Sequence, residues 1–346
     1  MPETPPSRTI SQISPTSVDR LLRCPRAFSH AQGASPQQRG QAAPAPSAVV
    51  GIAAHRTLEL CLQASRPSLH LAWGQACEEG AAVGIDPRSR PDARRTLLRL
   101  ERRLPQLLEF VDARNPSEVP RTESELVSSD GLIRGTVDLI VLGDLPCIVD
   151  YKTGLVSEDG VPVEHFVRQL SLYAHLVHEC LGVDISEAAL FSLREGIIPV
   201  DVSLGSRRLV VEECRAAQAA YNALVPGPQP AVPSVAACSH CALVGVCEGF
   251  WGPEGRKVVL NLTSGRSIEG RVDAPPVLSA SGVGAIAVKP DDGQSDAPVT
   301  VIDVPNELIE QLAHGSNVRC WRLRADPEAP SSLRWKAGQS GLVVLA

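Results

Sequence analysis

The run Gly135-Thr136-Val137-Asp138-Leu139-Ile140-Val141, followed across Gly143-Asp144 by Cys147-Ile148-Val149-Asp150-Tyr151-Lys152, decides how this chain folds. Both runs are rich in β-branched and aliphatic residues, and Gly143-Asp144 is a hairpin signal, so the two are neighbouring antiparallel strands. In that pairing Asp138 and Asp150 sit side by side. Asp150 and Lys152 are two apart on one strand, so their side chains leave the same face. Ser124-Glu125-Leu126-Val127, set off by Asp130-Gly131, completes a three-stranded meander. Two carboxylates and an ammonium at one end of a sheet are costly unless something binds there. A divalent cation would neutralise the acids while the lysine orients or activates a water. Taken alone, the D…DxK spacing fits a surface salt bridge at a strand end as well.

Outward from the meander, helical spacing adds two pairs of polar groups. Gly51-Ile52-Ala53-Ala54-His55 puts a small residue and an imidazole four apart on one helical face; the glycine allows close approach to the sheet, and a neutral imidazole can complete a cation's shell. A helix from Glu164 to Leu181, ended by Gly182, carries Gln169 and Tyr173 at the same spacing on an otherwise apolar face. Strands near 188–194 and 197–202 and a helix through 209–224 follow, giving an α/β architecture of a mixed sheet flanked by helices. Residues 1–11 are polar and Pro-rich and are expected to be mobile. Ser14-Pro15-Thr16-Ser17 opens a helix. The Ala-, Pro-, Gln- and Gly-rich stretch 31–48 reads as a flexible excursion. These segments make a first domain over 12–250. After Val225-Pro226-Gly227-Pro228-Gln229-Pro230 and Trp251-Gly252-Pro253 the texture changes. Lys257–Leu262, Ser267–Val272, Gly284–Val288, Val299–Asp303, Val318–Leu323 and Leu342–Leu345 read as strands, with a short helix at Pro305–Ala313. That pattern fits a second domain, 256–346, built as a small β-barrel with the OB fold as its candidate topology.

Composition narrows the partners. The 346 residues suffice for roughly two domains, and 33 basic against 39 acidic residues give a net charge of −6, which excludes a coating nucleic-acid binder but not a local basic groove. Such a patch exists in sequence: between Arg88 and Arg103 seven arginines face only Asp92 and Glu101, a local charge of +5, on a helix spanning 91–111. Arg94, Arg95, Arg99, Arg102 and Arg103 on it form either a solvated face or a phosphate-tracking surface. Only four residues are lysine, and Lys152 is the sole lysine before Lys257; its compact ammonium with a tunable pKa is what arginine cannot supply. The chain shows no secretory signal and no membrane-spanning stretch, so a soluble cytoplasmic protein is expected, and its ten cysteines are not read as disulfides. Cys238, Cys241 and Cys247 are spaced C-x2-C-x5-C, tight enough to share a metal. Either His240 or another nearby residue completes a zinc knuckle, or a distant cysteine completes an iron–sulfur cluster.

In order and spacing, GxxxH, GxxD, the Asp-Tyr-Lys strand and QxxxY resemble the RecB-type branch of the PD-(D/E)xK nuclease superfamily. The resemblance implies the restriction-endonuclease-like fold. It also implies Mg²⁺ or Mn²⁺ held at His55, Asp138 and Asp150 with help from the Tyr151 carbonyl, Lys152 serving the attacking water, and Gln169 and Tyr173 bracing the site. An extra acidic residue often precedes the GxxD strand, a place that Glu123 or Glu125 fits. Some members of the branch, the AddB nuclease and CRISPR-associated RecB-like exonucleases among them, carry a CPxxF element before the core. Cys24-Pro25-Arg26-Ala27-Phe28 matches it, which implies a [4Fe–4S] cluster on Cys24, Cys238, Cys241 and Cys247. The activity implied is hydrolysis of DNA, as an exonuclease on single strands in repair, recombination or phage defence. The chain has no GxxxxGK[ST] loop, so a helicase would be a separate partner. The rival reading is a non-catalytic iron–sulfur DNA-binding or scaffold subunit of a helicase–nuclease complex. Cys61, Cys77, Cys147, Cys180, Cys214 and Cys320 are left as buried or surface thiols.

Overall fold

The computed structural model describes residues 7–33, 46–82, 84, 86–185, 187–259, 265–291, 297–326, 334–337 and 342–345. Two units make up the chain: Thr9–Asp19 with Ala34–Ala223, and Met1–Arg8 with Arg20–Gly33 and Leu224–Ala346. Helices α1 (Pro15–Arg23), α2 (Pro25–Gly33), α3 (Pro46–Leu62), α4 (Leu69–Ala82) and α5 (Ala93–Asp112) precede the meander β1 (Arg121–Val127), β2 (Arg134–Val141) and β3 (Cys147–Lys152). A two-residue hairpin, β4 (Ser157–Glu158) and β5 (Val161–Pro162), leads to α6 (Glu164–Leu181), the strands β6 (Glu187–Ser192) and β7 (Gly196–Val200), and α7 (Leu204–Ala223).

The sheet of the first unit runs β1-β2-β3-β6-β7, antiparallel except where β6 joins β3. That parallel pair requires a crossover, which α6 supplies. Leu139, Val141, Cys147, Val149 and Tyr151 turn one face of the sheet toward α3, α4 and α5, burying Ala54, Leu58, Trp73, Leu100 and Leu107. Helix α5 is amphipathic for this reason: Ala93, Thr96, Leu100, Leu104, Leu107 and Val111 recur every three or four residues on its buried side, and the arginines take the other. Helix α4 was not anticipated in the sequence; Ala72, Trp73, Ala76 and Cys77 are its buried stripe.

In the second unit α8 (Val235–Cys238), α9 (Glu248–Trp251) and α10 (Pro253–Val259) precede β8 (Arg266–Val272), β9 (Val283–Pro290), β10 (Val299–Pro305), α11 (Asn306–Ile309), β11 (Asn317–Ala325), β12 (Arg334–Lys336) and β13 (Leu342–Leu345). The expected strand from Lys257 is replaced over 257–259 by the end of α10; residues 260–262 lie outside the described residues. Pro253 and Glu254 at the start and Arg256 and Lys257 in the last turn suit a helix and its dipole. Strands β8-β9-β10-β12-β11 close on themselves, β12 running parallel to β10 and antiparallel to β11, with β13 added outside β11. A five-stranded barrel in this order, with a short helix between its third and fourth strands, has OB topology. Its core holds Ile268, Ile286, Val288, Val301, Val318 and Leu323.

Parts of the two stretches expected to be mobile are placed in the structure. Of residues 1–11, 1–6 lie outside the described residues, but Ser7 is buried and its Oγ donates to the Gly227 carbonyl at 2.5 Å. The Ile10 N–H donates to Asn222 Oδ1 at 2.9 Å. Of the stretch 31–48, 31–33 end α2 and 46–48 begin α3, while 34–45 lie outside the described residues. Among the described residues no helix is long and apolar enough to cross a membrane.

Candidate active site

The register Leu139↔Val149 and Ile140↔Ile148, continued by one step, sets Asp138 opposite Asp150. On the other side, Thr122↔Leu139 and Ser124↔Val137 set Glu123 opposite Asp138. Three carboxylates therefore lie in a row across β1, β2 and β3. The ladder is interrupted at Glu123, whose φ of +46° is a left-handed conformation that costs a non-glycine residue about 1–2 kcal/mol. Of the two candidate acids the row takes Glu123. Glu125 instead pairs with Arg134 on the exposed part of the strands.

Each acid is held differently. Asp138, 9% exposed, accepts the Tyr151 backbone N–H at 2.6 Å. Asp150, 1% exposed, accepts from Gln169 Nε2 at 2.9 Å on one oxygen. Its other oxygen receives no well-aligned hydrogen bond and has the Lys152 ammonium at 2.5 Å. The Gln169 amide also donates to the Tyr173 hydroxyl at 3.3 Å, so the two polar groups of α6 are linked to each other and, through Gln169, to the Asp150 carboxylate. The Lys152 ammonium lies 5.3 Å from the centre of the Phe166 ring, which fixes it over an apolar surface. Gly135 makes this packing possible. A Cβ there would come within 2.8 Å of both Tyr173 Cε1 and Pro15 Cδ.

His55, on α3, reaches the row from another side, with Nδ1 3.8 Å from Asp138 Oδ2 and its ring edge-on to Tyr151 at 5.6 Å. Among the described residues, His55, Glu123 and Asp138 are the trio whose ligand atoms lie within 4.8 Å of one another. Asp150 is outside that trio, engaged by Lys152 and Gln169. Tyr151 sends its side chain into the core and leaves its backbone to the site. Gly51 is not forced by packing against the sheet, contrary to expectation: a Cβ would meet Thr153 Cγ2 at 3.8 Å, an ordinary contact. It borders an open cleft of about 480 Å³ with Ile52, His55, Arg56, Glu59 and Glu123. Arg56 and Glu59 were missed in the sequence. Glu59 follows His55 by four residues and so shares its helical face, a spacing that could have found it. Arg56 is locked by Glu59 and Glu79, each at 2.7 Å.

The electrostatics follow from burial. Desolvation, then Asp150, pushes the Asp138 pKa up to about 8, against the Tyr151 N–H and Lys152, which lower it. Burial also raises Asp150, with the Lys152 ammonium opposing. Glu123 is exposed as a residue, yet desolvation of its carboxylate, then Glu59 and Asp150, raise it. For His55, burial and then Lys152 bring the pKa down to about 4, while a hydrogen bond to the Tyr151 backbone works the other way. A contact that favours the imidazolium is one to an acceptor, so it places the Tyr151 carbonyl beside the imidazole. At neutral pH the imidazole is uncharged and has a lone pair to offer. Crowded acids and a neutral imidazole whose ligand atoms lie within 4.8 Å of one another suit a hard divalent cation.

In the second unit, Cys24, Cys238, Cys241 and Cys247 line one cavity with Ala27, Val232, Ala237, Leu243, Val244 and Phe250. The Arg26 N–H donates to the Pro230 carbonyl at 3.1 Å, tying the start of α2 to the segment that leads into the cysteine loop. His240 is exposed and does not line this cavity, whereas Cys24 does. Desolvation, with the other three thiols adding, pushes Cys238 up to about 11. Cys61, Cys77, Cys147, Cys214 and Cys320 are buried, and Cys180 is exposed, donating to the Val127 carbonyl at 3.1 Å. Arg94, Arg95, Arg99, Arg102 and Arg103 lie on α5 away from its buried stripe.

A mixed sheet with a row of acids, a lysine two residues after the last of them, and bracing side chains from helices defines a PD-(D/E)XK fold. The chain belongs to the PD-(D/E)XK nuclease superfamily, whose family model matches residues 12–248. No curated protein matches the chain. Among solved structures, that of SSO0001 is 17% identical, covering 57% of this chain and 83% of that one, with a TM-score of 0.25. A "Putative exonuclease" from Eubacterium rectale is 9% identical, covering 67% of this chain and 86% of that one, with a TM-score of 0.40. Likeness this loose carries no argument about activity.

Proposed function

We propose that this chain is a cation-dependent deoxyribonuclease that degrades single-stranded DNA from an end, with Lys152 beside the buried Asp150 as the observation that carries the reading. His55, Asp138, Asp150 and the Tyr151 carbonyl would hold Mg²⁺ or Mn²⁺, and Glu123 extends this set. The cation supplies Lewis acidity at the scissile phosphate and at a water. The chain's own groups do the positioning. Tyr151 N–H aims the Asp138 carboxylate, Gln169 aims Asp150, and Tyr173 holds Gln169 in place. The Lys152 ammonium, anchored by Asp150, orients the water that attacks phosphorus and stabilises the charge that builds there. His55, neutral above about pH 4, binds without carrying a proton into the site.

The four cysteines would hold a [4Fe–4S] cluster. Four sulfurs in an apolar cavity suit a soft metal centre. A single tetrahedral zinc, with sulfur at ~2.3 Å, would draw the sulfurs to about 3.8 Å of one another. Among the described residues the His55 trio has its ligand atoms within 4.8 Å of one another, and the four thiols do not. The preference for single strands and for ends, a setting in the cytoplasm, and a separately encoded helicase as partner in repair or phage defence are part of this reading, supported by the resemblance of the motif set. Labelled single-stranded DNA incubated with Mn²⁺ should be shortened by the wild type and not by Lys152→Ala, with a loss of about 10²–10⁴-fold. Activity that survives the substitution would refute the role of Lys152.

A further inference from the structure

About half of the described arginines in the first unit are matched by an acid. Arg56, Arg66, Arg114, Arg134, Arg168 and Arg215 each meet a carboxylate. Arg95 and Arg99 on α5 and Arg194 after β6 do not: among the described residues none of the three has a carboxylate partner, yet they sit close enough to one another to interact. Arg95, Arg99 and Arg103 follow one another at four-residue steps along one side of α5, and Arg103 reaches the Arg194 carbonyl, which brings Arg194 beside that side; in keeping with this, the Arg99 pKa is lowered by desolvation and then by Arg194 and Arg95. The acids nearby are taken. Glu195 feels the Arg194 charge but its carboxylate is spent on the Val156 N–H and the Ser157 hydroxyl, and Glu101 lies 3.4 Å from His70.

The fold holds this like-charge group together at some cost. Arg103 Nη2 donates to the Arg194 carbonyl at 2.8 Å, so the β6–β7 turn is fastened to α5 through a fourth arginine. At the tip of that turn Gly196 has a φ of +95°, and a Cβ there would come within 3.0 Å of Arg103 Nη1 and Gln106 Oε1. The turn is also tied to the catalytic strand. Ser192 pairs with Lys152, the Leu193 N–H donates to the Lys152 carbonyl at 2.9 Å, and Ser192 Oγ donates to the Gly154 carbonyl at 2.6 Å. Arg194 thus stands two residues past the strand end that neighbours Lys152, at the carboxyl ends of the parallel pair, where open α/β sheets bind ligands. Cations concentrated without counter-charges beside such an edge are the electrostatic footprint of a polyanion.

We propose that Arg95, Arg99 and Arg194 form a phosphate track that holds the DNA strand next to the scissile bond. The proposal rests on the nuclease reading, and binding separates the two. Affinity of the full chain for labelled oligothymidylate is measured without divalent cation over a series of salt concentrations, for the wild type, the triple variant Arg95→Gln/Arg99→Gln/Arg194→Gln, and Arg215→Gln as a paired-arginine control. Each phosphate neutralised on a single strand contributes ~0.7 to the slope of log affinity against log salt, so three lost contacts should lower it by about 2. Affinity at low salt should fall more than tenfold, with the melting temperature unchanged. Arg215→Gln should bind as the wild type does. A triple variant that keeps the wild-type slope and affinity overturns the track, as does an equal loss in Arg215→Gln. If the triple variant loses the slope but the wild type hydrolyses no DNA with Mn²⁺, the track stands and the nuclease reading falls.

Discussion

Cation binding at the acidic row should expel a proton, in an amount set by the burial of Asp138. With its pKa pushed up to about 8, this carboxyl is about nine-tenths protonated at pH 7 and about one-tenth at pH 9 in the cation-free protein. His55, at about 4, is neutral at both. A cation needs the carboxylate form, so Mn²⁺ binding at pH 7 should release about 0.9 proton from Asp138 plus any fraction held by Asp150, and far less at pH 9. Affinity should accordingly climb about tenfold per pH unit below pH 7.5 and level off above 8. Stability carries the same sign. A carboxyl whose folded pKa lies above its unfolded value favours the fold when protonated. That contribution is present below about pH 4 and is lost as pH rises through about 8. The cation-free protein should therefore melt at a lower temperature at pH 8.5 than at pH 6, apart from the titration of other groups, and Mn²⁺ should restore more at the higher pH. Isothermal titration in buffers of different ionisation enthalpy counts the protons, and thermal melts with and without Mn²⁺ check the stability. Release of less than about 0.3 proton at pH 7, or equal affinity at pH 6 and pH 8, would refute the reasoning.

Three further outcomes distinguish individual residues. Glu123→Gln should weaken Mn²⁺ binding at least several-fold while Glu125→Gln leaves it unchanged, since only Glu123 stands with His55 and Asp138; comparable effects in titrations of the two variants would remove Glu123 from the site. Gly135→Ala should destabilise the fold by about 1–3 kcal/mol, because the added methyl meets Tyr173 and Pro15 at 2.8 Å, and chemical denaturation measures it. Anaerobically purified wild type should be brown and contain iron, and Cys24→Ser should lose most of both. A colourless wild type with zinc in place of iron would sink the cluster.

The site was legible because its spacing is enforced by secondary structure. Asp138, Asp150 and Lys152 follow from strand alternation and one tight turn; Gln169 and Tyr173 follow from the helical repeat, and α6 spans Glu164–Leu181 as read. What stayed hidden depends on register or on packing between distant segments. Choosing Glu123 over Glu125 requires knowing that β1 pairs with β2 so that residue numbers sum to a constant, with Glu123 falling opposite Asp138. The two glutamates have the same parity along the strand, so alternation cannot separate them. Helix α4 was missed because its buried stripe consists largely of small residues, Ala72, Ala76 and Cys77 around Trp73, with Gly74 among them; burial rather than intrinsic propensity makes it a helix. The strand expected at Lys257 failed for the opposite reason, a β-branched run overruled by Pro253 and Glu254 at a helix start.

The cysteines show how packing adds what spacing cannot. C-x2-C-x5-C left the fourth ligand open between His240 and a distant thiol, and sequence separation alone favours the local residue. Cys24 nevertheless lines the cavity with the other three. The loop they sit on is shaped by the barrel of the same unit: Trp321 of β11 lies over Gly245, where a Cβ would come within 2.4 Å of its ring, and Arg322 Nη2 donates to the Cys241 carbonyl at 2.9 Å. Arg319 of the same strand reaches Glu248, next to Cys247, at 3.0 Å. Three consecutive or near-consecutive positions of one barrel strand thus brace the segment from Cys241 to Glu248. The barrel's closed, OB-ordered sheet therefore has a role that its weak charge balance does not suggest. It buttresses the loop that carries three of the cavity's cysteines, independent of any grip on nucleic acid.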